Sequence, residues 1–472
     1  MKVLVLEAST SSAKAMLFDS EQGILALKSE NYPPKVGDST VQNTEGVFYE
    51  MMKTGAEVAK DQKVDAVALS GIWHGLTVCD QKMQPLTPTY TWAYLGAAPT
   101  VNALRRDNAY VNSYYQKTGC MVHSIYPMFR LMQLKTEGLA LSDRFVMGQG
   151  EYNFYRLTDG FYSTPSLMSG FGALDTHNRD YDGALLSEMG ITRSQLPELS
   201  EYWQTRPLNK ASAALLGVAQ GIPVLPPFPD GALNQIGSGA MAEGEMTLSV
   251  GTSGALRMVT ARPVIPDSPS TWCYMSPTGW LSGAATQGAC NCVDWMKNKL
   301  FDSRYSYSEL EEKAVDIKNL PVFLPFLFGE RCPGWQDERL GGFHGVKAAH
   351  GREELFIATL EGVLMNLRHC SDVLTKITGQ PKNIHVSGGI LRSQVWLQML
   401  ADIFGQTLSC TDAEQASLLG GAALAMVSLK QTDDFNIMAD YFKQQYVYPR
   451  AEFKSLYDGR YARYLECYSR CD

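Results

Sequence analysis

Two apolar runs, each ending in a turn of small polar residues, set the pattern of this chain. Residues 2–6 predict a buried strand, residues 8–12 a turn, and AMLF at 15–18 the returning arm of a hairpin. The order recurs in MTLSVGTSGAL at 246–256, of which LVLEASTSSAK at 4–14 is a degenerate copy. Side chains this small let backbone N–H groups and hydroxyls close around phosphate oxygens. Two such turns about half a chain apart imply related halves facing one nucleotide. Phosphoryl transfer is therefore the leading expectation.

Between the turns, DAVALSGI at 65–72 predicts another buried strand, and residues 100–220 turn mainly helical. Pro223, Pro226, Pro227 and Pro229 disfavour helix and lead stiffly to Asp230. ALNQIGSGAMAEGE from 231 predicts a short, closely packed helix. Beyond 245, residues 351–374 form a long amphipathic pattern, with Leu355, Ala358, Gly362, Leu364 and Leu367 near helical spacing. NIHVSGGILRS at 383–393 predicts strand, Gly-Gly turn and helix start. Val395, Trp396, Met399, Leu400 and Ile403 give the following helix one apolar face, and Gly420, Gly421, Ala422 and Ala423 mark a small-residue helix. Strands and helices alternating in both halves predict an α/β architecture.

Composition narrows the function. A 472-residue chain holds about two to three domains, and 45% hydrophobic residues supply real cores. The net charge of −8, with no Lys/Arg run, argues against nucleic acid as the main partner. Only four consecutive apolar residues precede Glu7, too few for a secretion signal, and no window reaches the ~20 needed to cross a bilayer. Ten cysteines (Cys79, Cys120, Cys273, Cys290, Cys292, Cys332, Cys370, Cys410, Cys467, Cys471) lack paired C-x-x-C spacing. They are expected to be reduced and mostly buried, in a soluble cytoplasmic protein without a membrane partner.

Four features carry candidate chemistry, each with a plainer structural alternative. Thr10, Ser11 and Ser12 echo Thr252, Ser253 and Gly254; they would hold a triphosphate and its magnesium, or are ordinary hairpin loops. An alcohol is a poor nucleophile at neutral pH, so a carboxylate such as Asp230 is needed to accept its proton. The alternative is a turn or N-cap aspartate. SGGILRS (387–393) offers a side-chain-free surface for a flat purine, or a tight strand-to-helix connection; it lacks the G-x-G-x-x-G of a dinucleotide site. His74, in SGIWHGL, falls at the C-terminal end of a predicted strand, where α/β folds place ligand contacts, or is a packing residue beside Trp73.

Their order resembles the FGGY family of carbohydrate kinases over essentially the whole chain. The matching segments are SGIWHGL (70–76), TGCMVHSIYPMFRL (118–131), PDGALNQIGSG (229–239), LSVGTSGALR (248–257), PFLFGERCPGW (325–335), SGGILRSQVWLQMLAD (387–402) and LLGGAALA (418–425). The resemblance implies an α/β fold of two actin-like (ribonuclease H-like, ASKHA) domains with an interdomain cleft. Residues 1–244 would bind the sugar and 245–472 the nucleotide, with ATP and Mg2+ as cofactors and closure excluding water. By position, Asp230 resembles the catalytic base. Thr10, Ser11, Ser12, Lys14, Gly251, Thr252 and Ser253 resemble phosphate contacts, and Gly388, Gly389, Arg392 and Ser393 the adenosine motif. Trp73, His74, Tyr94, His123, Asp230 and Gly231 fall in the substrate site, and Glu7 where a residue helps place magnesium.

Within the family, the Asp-Gly after the proline run, the TGC-x-x-H-x-x-YP stretch and the GTSGALR ending look most like gluconate kinases. Xylulose or another ketose is the alternative substrate. A gluconate carboxylate would want a cation, for which Arg130 or His123 could serve. Two departures stand out. The first turn usually reads Asp-x-Gly-Thr, whereas Glu7, Ala8, Ser9 and Thr10 stand here, and Ser9 restricts backbone angles that Gly leaves free. In TWAYLGAA (91–98), Tyr94 and Gly96 stand where the family typically has Asp and Arg. These changes motivate a rival from another class, a catalytically weak sugar or nucleotide sensor. A chaperone-like ATPase of the same fold would need a peptide-binding extension absent here. The expected partner is a small sugar or sugar acid; a homodimer is left open.

Overall fold

A computed structural model describes residues 1–311, 316–410, 415–441 and 445–470. Its centre is a pair of seven-stranded sheets built on one plan. In the first, strand Lys2–Ala8 pairs antiparallel with Ser12–Asp19, which pairs antiparallel with Gly23–Asn31. On its other side Lys2–Ala8 runs parallel to Ala66–Gly71. In the second, Glu245–Val250 pairs antiparallel with Gly254–Thr260, which pairs antiparallel with Gly279–Thr286. On its other side Glu245–Val250 runs parallel to Asn383–Ser387. The duplicated hairpin of the sequence is therefore a duplicated sheet.

The continuous apolar run at the N-terminus follows from burial on both faces. Leu4, Leu6, Ala15 and Leu17 pack with Val47, Phe48 and Met51 of helix Thr44–Ala59. Val3, Val5, Met16 and Phe18 point the other way, into the larger core that also takes in Leu418, Leu419 and Ala422 of helix Ala416–Ser428. In the second sheet, Met246, Leu248 and Val250 enter that core, while Thr247 alternates to the opposite face. There its hydroxyl donates to Gln235 of helix Asp230–Gly237. Register places Arg257 directly across from Thr247, so the arginine shares this face and looks toward the first half.

Helix Asp230–Gly237 is thus clasped between the second sheet and helix Ala416–Ser428. The clasp is too tight for side chains. A Cβ on Gly237 would stand 1.8 Å from the Ala416 carbonyl oxygen, and one on Gly420 1.9 Å from that of Leu233. Gly421 likewise lies against Val5 of the first sheet, where a Cβ would meet Cγ1 at 2.6 Å. These are the small residues whose spacing marked both helices in the sequence.

The mainly helical stretch contains Ala98–Leu104, Asn108–Thr118, Pro127–Thr136 and Gln149–Thr158, with shorter helices beyond. It covers the outer edge of the second sheet. On edge strand Trp272–Ser276, the Cys273 N–H donates to the Gly119 carbonyl at 3.0 Å. The Met275 N–H, two residues on, donates to Ser169 Oγ at 3.1 Å. An edge that would otherwise offer free N–H groups is closed by the other half. The long helix runs Arg352–Thr378, four residues past its sequence-predicted end. All cysteines among the described residues are free and most are buried; Cys471 lies outside them. No helix among the described residues is long and apolar enough to cross a membrane.

Replacing Gly420 by Val drives methyl groups into the Leu233 carbonyl and is expected to lower unfolding stability by about 3 kcal/mol or more. Gly459→Ala, on an exposed helix face with nothing within 4 Å of the new Cβ, is the control. It should raise stability by roughly 0.5–1 kcal/mol. Urea denaturation midpoints measure both.

Candidate active site

The two small-residue turns differ in how they are closed. In the first, the Ser9 N–H donates to the Ser12 carbonyl at 3.0 Å, and Ser9 Oγ lies 2.9 Å from Ser12 Oγ. Ser9 is not among the residues with positive φ, so the turn does not require a glycine at that position. Its hydroxyl locks the bend instead. Ser12 is buried in that pair, leaving Ser11 as the exposed member of the turn. Thr10 accepts from Trp92 Nε1 at 2.9 Å through its hydroxyl oxygen, which leaves the hydroxyl hydrogen available to a ligand.

The second turn, Gly251 to Ser253, is more open, with Thr252 and Ser253 exposed. The first N–H groups of helix Cys290–Trp295 steady it: Cys290 donates to the Gly251 carbonyl at 2.9 Å and Asn291 to that of Thr252 at 3.2 Å. The Gly-Gly turn sits alongside. Gly388 has φ +97°, and a Cβ there would lie 2.5 Å from the Val250 carbonyl oxygen. A Cβ on Gly389 would meet Cys290 Sγ at 3.1 Å. Sequence positions 251 and 388 therefore form one side-chain-poor surface, with Gly388 and Arg392 exposed on it. Ser393 is spent as the N-cap of helix Gln394–Phe404, accepting from the Trp396 N–H at 3.0 Å.

Asp230 opens its helix directly after the short strand Phe228–Pro229, which pairs with Ala66–Gly71 at the level of Gly71. Its carboxylate accepts from the Gly231 N–H at 2.7 Å. On one side is a charged group from the first hairpin: Glu7 accepts from Lys14 Nζ at 2.8 Å and from Ser70 Oγ at 2.8 Å. On the other side is Arg257 of the second half, whose Nε would stand 3.3 Å from a Cβ on Gly231. Burial pushes the Asp230 pKa up to about 6, and the Glu7 charge adds to the rise. Arg257, the Gly231 N–H and Lys14 hold it back from rising further. Burial works against the Lys14 charge, yet Glu7 and Asp230 raise its pKa overall. The half-buried acid sits at the junction of the halves.

Trp73 and His74 follow the Ala66–Gly71 strand and enter an aromatic cluster from the second half. The Trp73 ring lies 5.1 Å from that of Tyr274 and 6.0 Å from that of Trp272. His74 holds φ +66°, an uncommon conformation for a residue with a side chain. Its Nδ1 is 2.7 Å from the Gly170 carbonyl oxygen and so carries the proton, while burial lowers the ring's pKa well below the usual value. The neutral ring keeps Nε2 as an acceptor. Gly231 follows Asp230, pressed under Trp73, whose Cζ3 would be 2.3 Å from a Cβ there.

Neither candidate cation for a substrate acid is available. Arg130 is fully buried and donates from Nη1 to the His74 and Tyr90 carbonyls and from Nη2 to those of Ser124 and Ile125. It is a clamp on four backbone oxygens. His123 accepts the Ile125 N–H on Nδ1 at 3.0 Å and donates from Nε2 to Asp337 at 2.6 Å. Burial lowers its pKa despite the opposing pull of Asp337. It latches the halves together as a neutral ring. The two departures in TWAYLGAA explain each other: a Cβ on Gly96 would stand 2.2 Å from Tyr94 Oη, so Gly96 makes room for the tyrosine. Tyr94 in turn packs on Tyr90, with ring centroids 4.6 Å apart.

The structure adds residues to which the sequence assigns no role. A cavity of about 180 Å³ opens between the halves, lined by Trp92, His123 and Ile125 from the first and by Gln287, Phe328 and Arg331 from the second. Arg257, also from the second half, stands against Gly231. Both arginines lie inside quoted motifs, and a charge within the apolar run ALRMV was the available signal for Arg257.

A model described as the FGGY family of carbohydrate kinases, N-terminal domain, matches residues 2–237, and its C-terminal counterpart matches 246–429. The chain is 26% identical over 470 residues to a gluconokinase of Bacillus subtilis (strain 168), covering 94% of this chain and 91% of that one. It is 28% identical over 436 residues to a xylulose kinase of Escherichia coli (strain K12), covering 90% and 89%. A gluconate kinase from Lactobacillus acidophilus superposes with a TM-score of 0.94 at 26% identity, covering 100% of this chain and 98% of that one. A ligand-bound xylulose kinase from the same organism superposes at 0.93 and 26%, covering 99% and 98%. With both family models in order along it and the two-lobed actin-like fold shared from end to end, the chain belongs to the FGGY family of carbohydrate kinases, sugar kinases that take their phosphate from ATP.

Proposed function

We propose that this kinase transfers the γ-phosphoryl group of ATP to a primary hydroxyl of an open-chain sugar acid of the gluconate type. Residues 1–244 hold the sugar and 245–472 the nucleotide. Asp230 carries the reading: a half-buried carboxylate poised near neutrality between the charged hairpin of one half and an arginine of the other. As the alcohol oxygen attacks phosphorus, Asp230 accepts its proton, the new O–P bond forms, and the bridging bond to the β-phosphate breaks to release ADP.

The turns supply the charge compensation such a transfer needs. The hydroxyls of Thr10, Ser11 and Thr252, with the amides of both turns, donate to phosphate oxygens. Gly254 and Arg257 are three positions apart on one strand, roughly 10 Å at ~3.4 Å per residue. That span suits a triphosphate end placed at the turn and a sugar at the arginine. Gly388, Gly389 and Arg392 receive the adenosine, with Ser393 fixing the helix beneath. Lys14 steadies Glu7 and adds positive charge.

Magnesium fits the donor set. Among the described residues no group of three or more His, Cys, Asp or Glu could hold a metal unaided. Mg2+ commonly takes one or two carboxylates, with waters and substrate phosphates completing its octahedron. Glu7, facing Asp230, would hold it, and the ion when bound neutralises charge on the β- and γ-phosphates. Trp73, His74 and Gly231 form the wall against which the sugar chain lies. His74 Nε2 accepts from one of its hydroxyls, Tyr94 closes the far side, and His123 holds the latch behind it. The enzyme works in the cytoplasm. A ketose such as xylulose is the second reading, supported by the xylulose kinases among its relatives.

Asp230→Asn should reduce kcat by roughly 10²–10⁴-fold, the usual worth of a positioned base. ATP affinity, followed by equilibrium titration, should change little. A sensor would show nucleotide binding without turnover in the parent as well. Because the Asp230 pKa is raised to about 6 and only the ionised form accepts a proton, kcat/KM should be level above that pH. Below it, kcat/KM should fall about tenfold per unit. A profile flat down to pH 5 removes Asp230 from the role. ATP consumption across aldonic acids and neutral ketoses separates the two substrate readings.

A further inference from the structure

A buried guanidinium without a partner is costly, because its N–H groups have left water and found nothing in exchange. This kinase has two such groups on the second-half side of the junction. Arg257 Nε and Nη1 are buried with no hydrogen-bond partner, and so is Arg331 Nε. Among the described residues, neither side chain makes a salt bridge or hydrogen bond. Other arginines also leave one buried nitrogen unpaired, Arg105 Nη2, Arg130 Nε and Arg339 Nε, but each of those guanidiniums is held through its remaining nitrogens, Arg105 by the Val122 carbonyl, Arg339 by Glu330 and Arg130 by four carbonyls.

The two arginines are neighbours. Tyr274 links them, since it bears on Arg257 and Arg331 bears on it, and Arg331 opposes the charge of Arg257. Like charges brought together repel, and burial in low dielectric sharpens the repulsion. Asp230 bears on Arg257 as a counter-charge, and its carboxylate is also engaged with the Gly231 N–H. Arg331 lines the interdomain cavity with Trp92, His123 and Gln287, and Arg257 reaches the same junction beside Gly231.

We propose that Arg257 and Arg331 together form the receptor for the substrate's carboxylate, and that they select a sugar acid over the neutral sugar of the same length. This rests on the sugar-acid reading of the site above. A carboxylate offers two oxygens to the forked donors of each guanidinium, satisfying the stranded N–H groups and separating the two cations. A neutral polyol offers hydroxyls that match neither the charge nor the fork.

The test pairs a change in the ligand with a change in the protein, using D-gluconate and D-gluconamide, which differ only in the charged group. The parent enzyme should prefer gluconate by about 30-fold or more in kcat/KM, the scale of hydrogen bonds to a charged group. In Arg257→Gln and in Arg331→Gln that preference should fall below about threefold, mainly through KM for gluconate. Arg257→Lys, which keeps the charge and loses the fork, should retain an intermediate preference and guards against a glutamine variant that does not fold. If gluconate and gluconamide lose activity by the same factor in a variant, that arginine is not the receptor. If the parent phosphorylates neutral ketoses and no aldonic acid, the sugar-acid reading itself falls, a result recognisable before any variant is made.

Discussion

The approach of helix Ala416–Ser428 to helix Asp230–Gly237, backbone against backbone, is the constraint on which the site depends. The shorter helix is eight residues, about 12 Å at ~1.5 Å per residue. One end carries Asp230 and the other carries Gly237, lodged against the Ala416 carbonyl. A helix this short is marginal alone and gains its order from packing. Wherever the second half docks on Gly237, the carboxylate at the far end is therefore aimed. The same helix presents Gly231 to Arg257 and Gln235 to Thr247, positions one turn apart on a single face. Docking the halves and assembling the junction are one event.

At that junction, burial acts oppositely on opposite charges. It raises the Asp230 pKa to about 6 and lowers that of Arg257 to about 10, each moving toward its neutral form. Glu7 strengthens the effect on Asp230, while Lys14 and Arg257 limit it. A carboxylate left at its ordinary pKa would be a feeble base, and one pushed far higher would be protonated at neutral pH. The mixed surroundings hold it between those limits, as the proposed proton acceptance requires.

Much of this was legible in the sequence, for identifiable reasons. The paired turns could be read because small residues after an apolar run have local meaning, and both halves use the same device. Pro229 before Asp230 fixed where the helix could begin. The glycines at 420 and 421 announced close packing without naming the partner. What stayed hidden was non-local. Arg130 and His123 look like free cations in TGCMVHSIYPMFRL, but beyond that segment they are also held by carbonyls at 74 and 90 and by Asp337. Arg257 and Arg331 sit 74 positions apart, and only the folded sheet brings both to one junction. A partner distant in sequence leaves no periodicity to read.

The departures from the family pattern illustrate the same point from the other direction. Read singly, Ser9 for Gly and the loss of an Asp and an Arg at 94 and 96 suggest a weakened site. In the fold each has an answer. Ser9 occupies ordinary backbone angles and spends its hydroxyl on closing the turn that Gly would have left loose. Tyr94 fills the space that Gly96 vacates and stacks on Tyr90, so one change requires the other. An aromatic wall with a phenol edge replaces a charged pair, and the polar demand on that side of the cavity falls. Arg257 and Arg331 lie within segments that match the family, so the changes at 94 and 96 reshape one wall and leave the arginines, Asp230 and the small-residue turns as they were.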